Sequence, residues 1–341
     1  MASLSPTVDL SIFAARSQRS PLAWVLHDGK AGMASQAIGL AEATGLPFVE
    51  KRLAIRLPWA CLPPRLWLWP LDAPGSAGAR LTPPWPDLVI ACGRNAAMPA
   101  LAVRRASGLR TVAAQIQNPG VGRAEFDLFV VSEHDRLRGP QVIVTRGAVH
   151  RVTAARLEAE RRRFPGFAAM PKPIVSVLIG GTNRAYRLTA RRLEEIANVL
   201  TAVLRKECGS ILLTTSRRTG AGGLTLLQER LAGLSAVIWD GTGDNPYFAY
   251  LAVADALLVT ADSVSMISEA AATGKPVHIL EFDGGNAKFA RFHAAMRAAG
   301  ITRPFSGRIE SWTYPILDDT ARAGAVLRSL VLSRIERQER A

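Results

Sequence analysis

Residues 257–280 read LLVTADSVSMISEAAATGKPVHIL, and this stretch gives the clearest indication of the fold. An apolar run over 256–262 leads into a helical pattern over 263–274, and a second apolar run covers 276–282. Short apolar runs that alternate with helices are typical of a parallel sheet. Asp262 or Ser263 can cap the helix, which would direct its positive N-terminal end at a ligand such as a diphosphate.

The same alternation extends in both directions along the chain. Strands are predicted at 22–26, 87–93, 110–119, 126–135 and 141–150, and again at 174–181, 210–216, 236–241, 256–262 and 276–282. Nearly every one of these strands ends in polar residues, as a cleft between two facing domains would require. We therefore predict an α/β fold of two Rossmann-like domains that face each other across a cleft.

Changes in composition mark the expected domain boundaries. The segment 151–173 is charged and then broken by proline and glycine, which is typical of a linker. It would separate an N-terminal domain over 21–150 from a C-terminal domain over 174–316. Residues 1–20 are expected to form a flexible leader, and an amphipathic helix over 317–341 is expected to pack back on the N-terminal domain.

The overall composition narrows the classes of partner. The 341 residues carry a net charge of +14 and are 48% hydrophobic, so a packed core and an anionic partner are both expected. A genome that encodes arginine where others encode lysine would explain why arginine outnumbers lysine. It explains the excess of positive over negative residues less well. Nucleic acid is not expected, because no aromatic and basic platform or helix-turn-helix spacing occurs. Three scattered cysteines and five histidines without metal-ligand spacing predict no metal site.

Polar side chains follow the predicted strands of the first half. Because ligands of such folds bind beyond the carboxyl ends of the strands, these positions are candidates for a binding site. They are His27, Asp28, Lys30, Gly93, Arg94, Asn95, Gln117 and Asn118. Asp28 and His27 are the candidate general bases, with His134 a weaker one.

The strands of the second half end in a larger polar set. A glycine pair would let backbone N–H groups approach an anion, and adjacent arginines offer planar donors for phosphate. An ordinary strand-to-helix turn and a solvated arginine pair are the alternatives. The candidates are Gly180, Gly181, Thr182, Asn183, Ser216, Arg217, Arg218, Asn245, Tyr247, Asp262, Ser263, Ser265 and Glu269.

One segment does not follow the alternation. Residues 56–75, RLPWACLPPRLWLWPLDAPG, hold three tryptophans, five prolines and two arginines. Proline prevents a long helix, and tryptophan with arginine suits the surface of an anionic membrane. A proline-rich connection packed on the core is the alternative. No window reaches about 18 apolar residues, so we expect a cytoplasmic protein that binds the inner membrane peripherally.

Several short motifs together resemble a known family. The pieces DGKAGxxxQ, ACGRxxA, QIQxP, IGGxNxxY, TTSRRT, VTxDSVSMxSEAxxTGKPVxI and KFxRFH cover the chain from about Trp24 to Arg291. They resemble a bacterial family named after a plant mitochondrial-fission factor and predicted to act on nucleoside-diphosphate sugars. The 257–280 stretch also resembles the donor-site helix of GT-B glycosyltransferases. That resemblance implies that Glu269 holds the ribose of a nucleotide sugar and that residues 180–183 face its diphosphate.

The resemblance favours one function over two alternatives. A GT-B-like transferase would bind a nucleotide sugar in the C-terminal domain and a cell-envelope or lipid-linked acceptor in the N-terminal domain. It would require no cofactor or metal, because helix dipoles and cations stabilise the departing diphosphate. The first alternative is an inactive, membrane-recruited interaction protein. The second is an epimerase, disfavoured because the chain lacks the dinucleotide glycine pattern and the Tyr-x-x-x-Lys pair of the classical type.

Overall fold

A computed structural model describes residues 20–340 of the chain. The expected flexible leader, 1–20, therefore lies almost wholly outside the described residues. The described part contains two six-stranded sheets, each entirely parallel, with helices packed on them. The prediction of an α/β fold with two Rossmann-like domains facing across a cleft is confirmed.

The first sheet has the order β2-β1-β3-β4-β5-β6. Its strands and helices are β1 Ala23–His27, α1 Ala31–Thr44, β2 Phe48–Arg52, β3 Leu88–Cys92, α2 Arg94–Ala106, β4 Val112–Ile116, β5 Leu128–Ser132 and β6 Val142–Thr145. β1, β3, β4 and β5 are buried along their whole length, as strands covered on both faces must be. β2 is missing from the strands predicted above, because it lies at the sheet edge and no residue of it is fully buried.

The second sheet has the order β12-β11-β10-β7-β8-β9. Its elements are α3 Ala154–Arg163, α4 Pro165–Ala168, β7 Ile174–Ile179, α5 Ala190–Lys206, β8 Ser210–Thr215, α6 Ala221–Leu231, β9 Ala236–Trp239, α7 Tyr247–Val253, β10 Ala256–Thr260, α8 Val264–Ala271, β11 Val277–Leu280, α9 Ala287–Ala298 and β12 Thr302–Pro304. The three-residue edge strand β12 is the other strand that the apolar pattern misses, and the helix α9 was not predicted either.

The last helix, α10 Asp319–Arg340, crosses back to the first sheet. Ala323, Leu327 and Val331 lie in the core that α1 shares with the strands of that sheet. Gly324 lies directly against the backbone of Ala43, where a Cβ would overlap it, so the two helices pack closely. The first and last elements of the described residues thus belong to the same half, while residues 174–304 form the other sheet.

Residues 56–75 form an irregular excursion between β2 and β3. Two short 3₁₀ turns, Pro64–Leu66 and Pro70–Asp72, are its regular parts, and both pack on α2. Within residues 20–340, no helix combines the length and the apolar character that crossing a bilayer requires.

Candidate functional site

The helix α8 forms the centre of the contact between the two halves. The Gln36 side chain of α1 donates from Nε2 to Ser265 Oγ at 3.1 Å. The backbone N–H of Ala148, after the first sheet, donates to Ser268 Oγ at 2.9 Å. Because helix residues three or four apart share a face, α8 presents Ser265, Ser268 and Glu269 to the first half together.

Glu269 lies where the two halves meet, and both of its oxygens are occupied. Ser35 Oγ of α1 donates to Oε1 at 2.6 Å, and the Tyr247 hydroxyl of α7 donates to Oε2 at 2.5 Å. The residue is 5% exposed. Burial raises the pKa of this carboxyl, while the Ser35 and Tyr247 hydrogen bonds and the charge of Arg151 oppose the rise. Glu269 is therefore a buried acceptor of two hydroxyl donors.

The N-terminus of α8 is capped as the sequence suggests. Ser263 is the N-cap residue, and its hydroxyl accepts a hydrogen bond from the Met266 N–H at 3.3 Å. Asp262 has a different role: its carboxylate is buried and pairs with Arg218 Nη1 at 2.6 Å. It also accepts from the Thr260 hydroxyl at 2.7 Å.

Other parts of the protein occupy the space beside the glycine pair after β7, Gly180 and Gly181. A Cβ at Gly180 would overlap the Asp262 carboxylate, and one at Gly181 would overlap the backbone of Arg218. The Gly181 N–H donates to Asp262 Oδ2 at 3.0 Å. A side chain is therefore excluded at both positions, and the expectation that the loop faces a diphosphate stays a prediction.

The side chains of Thr182 and Asn183, next to the glycine pair, form hydrogen bonds within their own loop. Asn183 Oδ1 accepts from the N–H groups of Ala185 and Tyr186, at 2.7 and 2.9 Å, which closes a turn. The Thr182 hydroxyl accepts from the Leu188 N–H at 3.1 Å. These bonds shape the loop that joins β7 to α5.

The two adjacent arginines after β8 differ in their surroundings. Arg218 Nη1 pairs with Asp262 and donates to the Gly181 carbonyl at 2.9 Å, while its side chain is 38% exposed, so its role as a phosphate ligand stays a prediction. Arg217 is exposed and reaches across to the first half, where Nη2 donates to the Gly29 carbonyl at 3.3 Å. Ser216 donates to the Gly180 carbonyl at 2.8 Å and stays within the second half.

His27 is a structural residue, which corrects its prediction as a general base. Its Nδ1 accepts from the Gly29 N–H at 3.1 Å, so Nε2 carries the proton and donates to Glu50 Oε1 at 2.9 Å. The ring is buried, with both nitrogens occupied. No nitrogen remains to take a proton from an acceptor hydroxyl.

Asp28 remains the candidate base of the first half. Its carboxylate is partly exposed and forms an ion pair with Lys30, whose side chain is largely in solvent. Gly29 adopts a φ of +78°, and a Cβ there would lie 2.6 Å from Arg52 Nε. The tight turn thus has its own structural reason, while the Asp28 and Lys30 side chains remain near the surface.

The remaining first-half candidates divide into a buried and an exposed group. Gln117 donates to Gln36 Oε1 at 3.2 Å, which extends the polar chain that ends at Ser265. Gly93, with a φ of +82°, packs against Met33 and precedes α2. Asn118 closes a surface turn by accepting from the Gly120 N–H at 2.9 Å.

Two candidates at the start of α2 remain open to solvent. Within residues 20–340, the side chains of Arg94 and Asn95 form no hydrogen bond or ion pair, and Arg94 is exposed. Arg94 is thus a cation that no carboxylate of the described chain neutralises.

In the second half, Asn245 is exposed and accepts from the Tyr247 N–H at 3.0 Å, which starts α7.

Several residues of the contact between the halves are absent from the predicted site. Ser35 and Gln36 are the most central, and Gln36 is the last residue of the DGKAGxxxQ pattern quoted above. At the other end of the contact, Lys288 of α9 pairs with Asp135 at 2.5 Å. The sequence offered one indication of Gln36: its spacing from the loop after β1, residues 28–30. A helix that begins at residue 31 brings residue 36 back toward the cleft.

Two cavities of the described residues lie away from this contact. One of about 960 Å³ is lined by α1, residues 150–160 and residues 316–321, and one of about 430 Å³ by residues 144–146 and 315–319. Neither includes a predicted donor residue. Among residues 20–340, no group of three or more His, Cys, Asp or Glu side chains is placed to hold a metal ion.

Comparison with known proteins gives a family and a fold. The profile of the family described as mitochondrial fission ELM1 matches residues 31–331. The Arabidopsis thaliana mitochondrial fission protein ELM1 is 36% identical over 277 residues, which are 73% of this chain and 65% of that protein. An uncharacterized protein of Rickettsia prowazekii is 28% identical over 212 residues, which are 58% of this chain and 57% of that protein. The matched parts therefore span less than two thirds of either relative.

Two solved structures share the fold of this chain. The UDP-GlcNAc 2-epimerase of Methanocaldococcus jannaschii superposes with a TM-score of 0.54 at 12% identity, covering 92% of this chain and 99% of that one. The O. sativa protein Os79, in complex with UDP, superposes with a TM-score of 0.52 at 12% identity, covering 90% and 94%. At this identity the likeness establishes the two-domain, GT-B-like fold alone.

Proposed function

The chain belongs to the mitochondrial fission ELM1 family, and we propose that it binds a nucleotide sugar between its two halves and transfers the sugar to an acceptor. The acceptor would be a cell-envelope or lipid-linked molecule on the first-half side. The observation that carries the proposal is the Glu269 carboxylate, which accepts from two hydroxyl groups at 2.6 and 2.5 Å. Two adjacent hydroxyl donors are what the 2′ and 3′ positions of a ribose supply.

The diphosphate would lie beside the N-terminus of α8. The dipole of that end favours an anion. Arg217 is the cation best able to join it, because Arg218 is already paired with Asp262 while Arg217 is exposed and bonded only to a carbonyl. The exposed Arg94 would approach from the first half. These groups would stabilise the negative charge that develops on a departing nucleoside diphosphate.

Asp28 would take the proton from the acceptor hydroxyl. A general base must lie within hydrogen-bond reach of the proton it removes and must be in its charged form. Asp28 forms an ion pair with the Lys30 ammonium. Its partial exposure gives an acceptor access, whereas the buried and doubly bonded His27 offers none.

Epimerases among the structural relatives require a second candidate. The M. jannaschii epimerase has the same fold as this chain, so the absence of a dinucleotide glycine pattern does not exclude an epimerase here. Both reactions begin with a bound nucleotide sugar, and product analysis after incubation with a bound sugar distinguishes them. The remaining alternative, a non-enzymatic interaction protein, requires no nucleotide binding.

Thermal unfolding with UDP-, GDP-, ADP- and CMP-sugars tests the proposal. A ligand present at about 100 times its Kd stabilises the protein by about 2.7 kcal/mol. Glu269→Gln keeps the shape of the side chain and removes its charge, so we expect the ligand-induced shift in Tm to be largely lost. Glu158→Gln, a change at an exposed position on α3, is the matched control and should keep the shift. If none of the four nucleotide sugars raises the Tm of the unmodified protein, the donor site does not exist.

A further inference from the structure

The segment 56–75 exposes an unusual amount of apolar surface. Five of the ten strongly exposed large apolar side chains in residues 20–340 belong to it: Leu57, Leu62, Leu66, Leu68 and Trp69. Leu68 is 67% and Trp69 is 73% exposed, at adjacent positions. Scattered apolar side chains are normal on a protein surface, but a contiguous group indicates an interaction site.

Internal hydrogen bonds hold the segment in this shape. The Trp59 indole N–H donates to the Leu68 carbonyl at 2.6 Å, and the Trp67 indole N–H donates to the Leu62 carbonyl at 3.1 Å. Trp67 is itself buried, at 6% exposed. The three tryptophans of the sequence therefore separate into two that hold the segment together and one, Trp69, that faces solvent.

Cations accompany the apolar group. The Arg56 guanidinium lies 5.1 Å from the centre of the Trp59 ring, and Arg65 donates to the Gly120 carbonyl. Asp72 is the single acidic residue between 56 and 75. Leucine and tryptophan with arginine at their side are suited to the boundary between lipid head groups and acyl chains. We propose that this segment docks on a bilayer that contains anionic lipids.

The net charge favours a bilayer over a second copy of the chain, and the position of the segment shows on which side of the molecule the bilayer would lie. The chain carries a net charge of +14, so two copies meeting at a basic surface would repel one another. The segment also follows β2 directly, and Arg52 at the end of β2 packs against Gly29 of the strand-one loop. A docked bilayer would thus lie on the side of the molecule that carries Asp28. Docking does not require that the chain bind a nucleotide.

Vesicle flotation without nucleotide tests the proposal with the full chain. Vesicles of phosphatidylcholine are compared with vesicles that also contain phosphatidylglycerol. The full chain should float with the second kind only. Leu68→Ser with Trp69→Ser should weaken flotation at least about tenfold, because both apolar side chains leave the acyl region. Arg56→Gln with Arg65→Gln should weaken it about fivefold for each arginine removed.

Leu109→Ser with Leu332→Ser is the matched control, because both leucines are exposed and lie outside the segment. This control should float like the unmodified chain. Equal binding by the Leu68 and Trp69 variant, or an equal loss in the control, would overturn the proposal. So would self-association that depends on Leu68 and Trp69 without vesicle binding, which would identify a second copy as the occupant. Nucleotide-induced shifts in Tm, measured on the same variants, report separately on the donor site.

Discussion

Replacing Ser35 by alanine should tighten nucleotide binding while it destabilises the protein. In the described structure, Ser35 Oγ donates to Glu269 Oε1 and the Tyr247 hydroxyl donates to Oε2. A carboxylate oxygen can accept more than one hydrogen bond, but Glu269 is 5% exposed and has no room for additional donors. A ribose therefore reaches Glu269 only by taking the place of a protein hydroxyl, and we expect Ser35, the donor from the other half, to be the one displaced.

The two effects can be estimated from one hydrogen bond. A hydrogen bond to a charged group contributes about 1.5–3 kcal/mol, and a buried acceptor left without its donor costs a similar amount. The free energy of unfolding of Ser35→Ala should therefore fall by about 1–3 kcal/mol. A bound ribose no longer competes with Ser35, so the Kd for UDP should fall about five- to tenfold, the equivalent of about 1–1.4 kcal/mol.

The assay combines urea unfolding with calorimetric titration of UDP. Ser268→Ala is the matched control, because it also removes a hydrogen bond between the halves, at Ala148, and leaves Glu269 untouched. It should destabilise the protein without tightening UDP binding to the same degree. An unchanged or weaker affinity in folded Ser35→Ala, or equal tightening in the control, would refute the competition between Ser35 and ribose.

Three further predictions concern buried groups. Arg218→Ala should lower the free energy of unfolding in urea by about 1–3 kcal/mol, because the buried Asp262 loses its charged donor but keeps those from Gly181 and Thr260. A loss below about 0.5 kcal/mol would show that the pair is not needed. Gly180→Ala should reduce the yield of folded protein, because its Cβ would overlap the Asp262 carboxylate, whereas Gly222→Ala, in open space on α6, should be neutral or raise Tm. Burial lowers the pKa of His150 from 6.5 to about 4, so unfolding at low pH should become easier as pH falls across that window, by on the order of 3 kcal/mol at most. His150→Gln should flatten that dependence, and a variant that follows the unmodified curve would contradict it.

The sheets were predictable because their strands are buried on both faces. A parallel strand such as β3 must be apolar at every position, and LVIAC is so in the sequence itself. The cap at Ser263 was equally readable, since capping depends on neighbours three residues away. β2 could not be found in this way, because an exposed edge strand such as FVEKR needs no apolar pattern.

The chemistry of the site was less predictable, because it depends on which groups meet at long range. Ser35 and Glu269 are 234 positions apart, and no local pattern pairs them. His27 stands in a loop where a base was plausible, yet Glu50 from the neighbouring strand fixes its ring. Gly180 fits an anion loop equally well, and only the position of Asp262 explains why a side chain is excluded there. In each case the deciding partner comes from another strand or helix.

The helix α8 has two roles, proposed donor binding and contact with the first half, and each affects the other. Its N-terminus and Glu269 are the proposed ligands of the donor, while Ser265, Ser268 and Glu269 are also its contacts with the first half. A ligand that displaces Ser35 from Glu269 therefore alters a contact between the halves, and the two equilibria are linked. The three contacts around α8 are single hydrogen bonds, each of about 1–3 kcal/mol, so binding of a ligand at Glu269 can offset the loss of one of them. A protein that released Ser35 only when a nucleotide sugar arrives would expose Asp28 and the acceptor side at the same step.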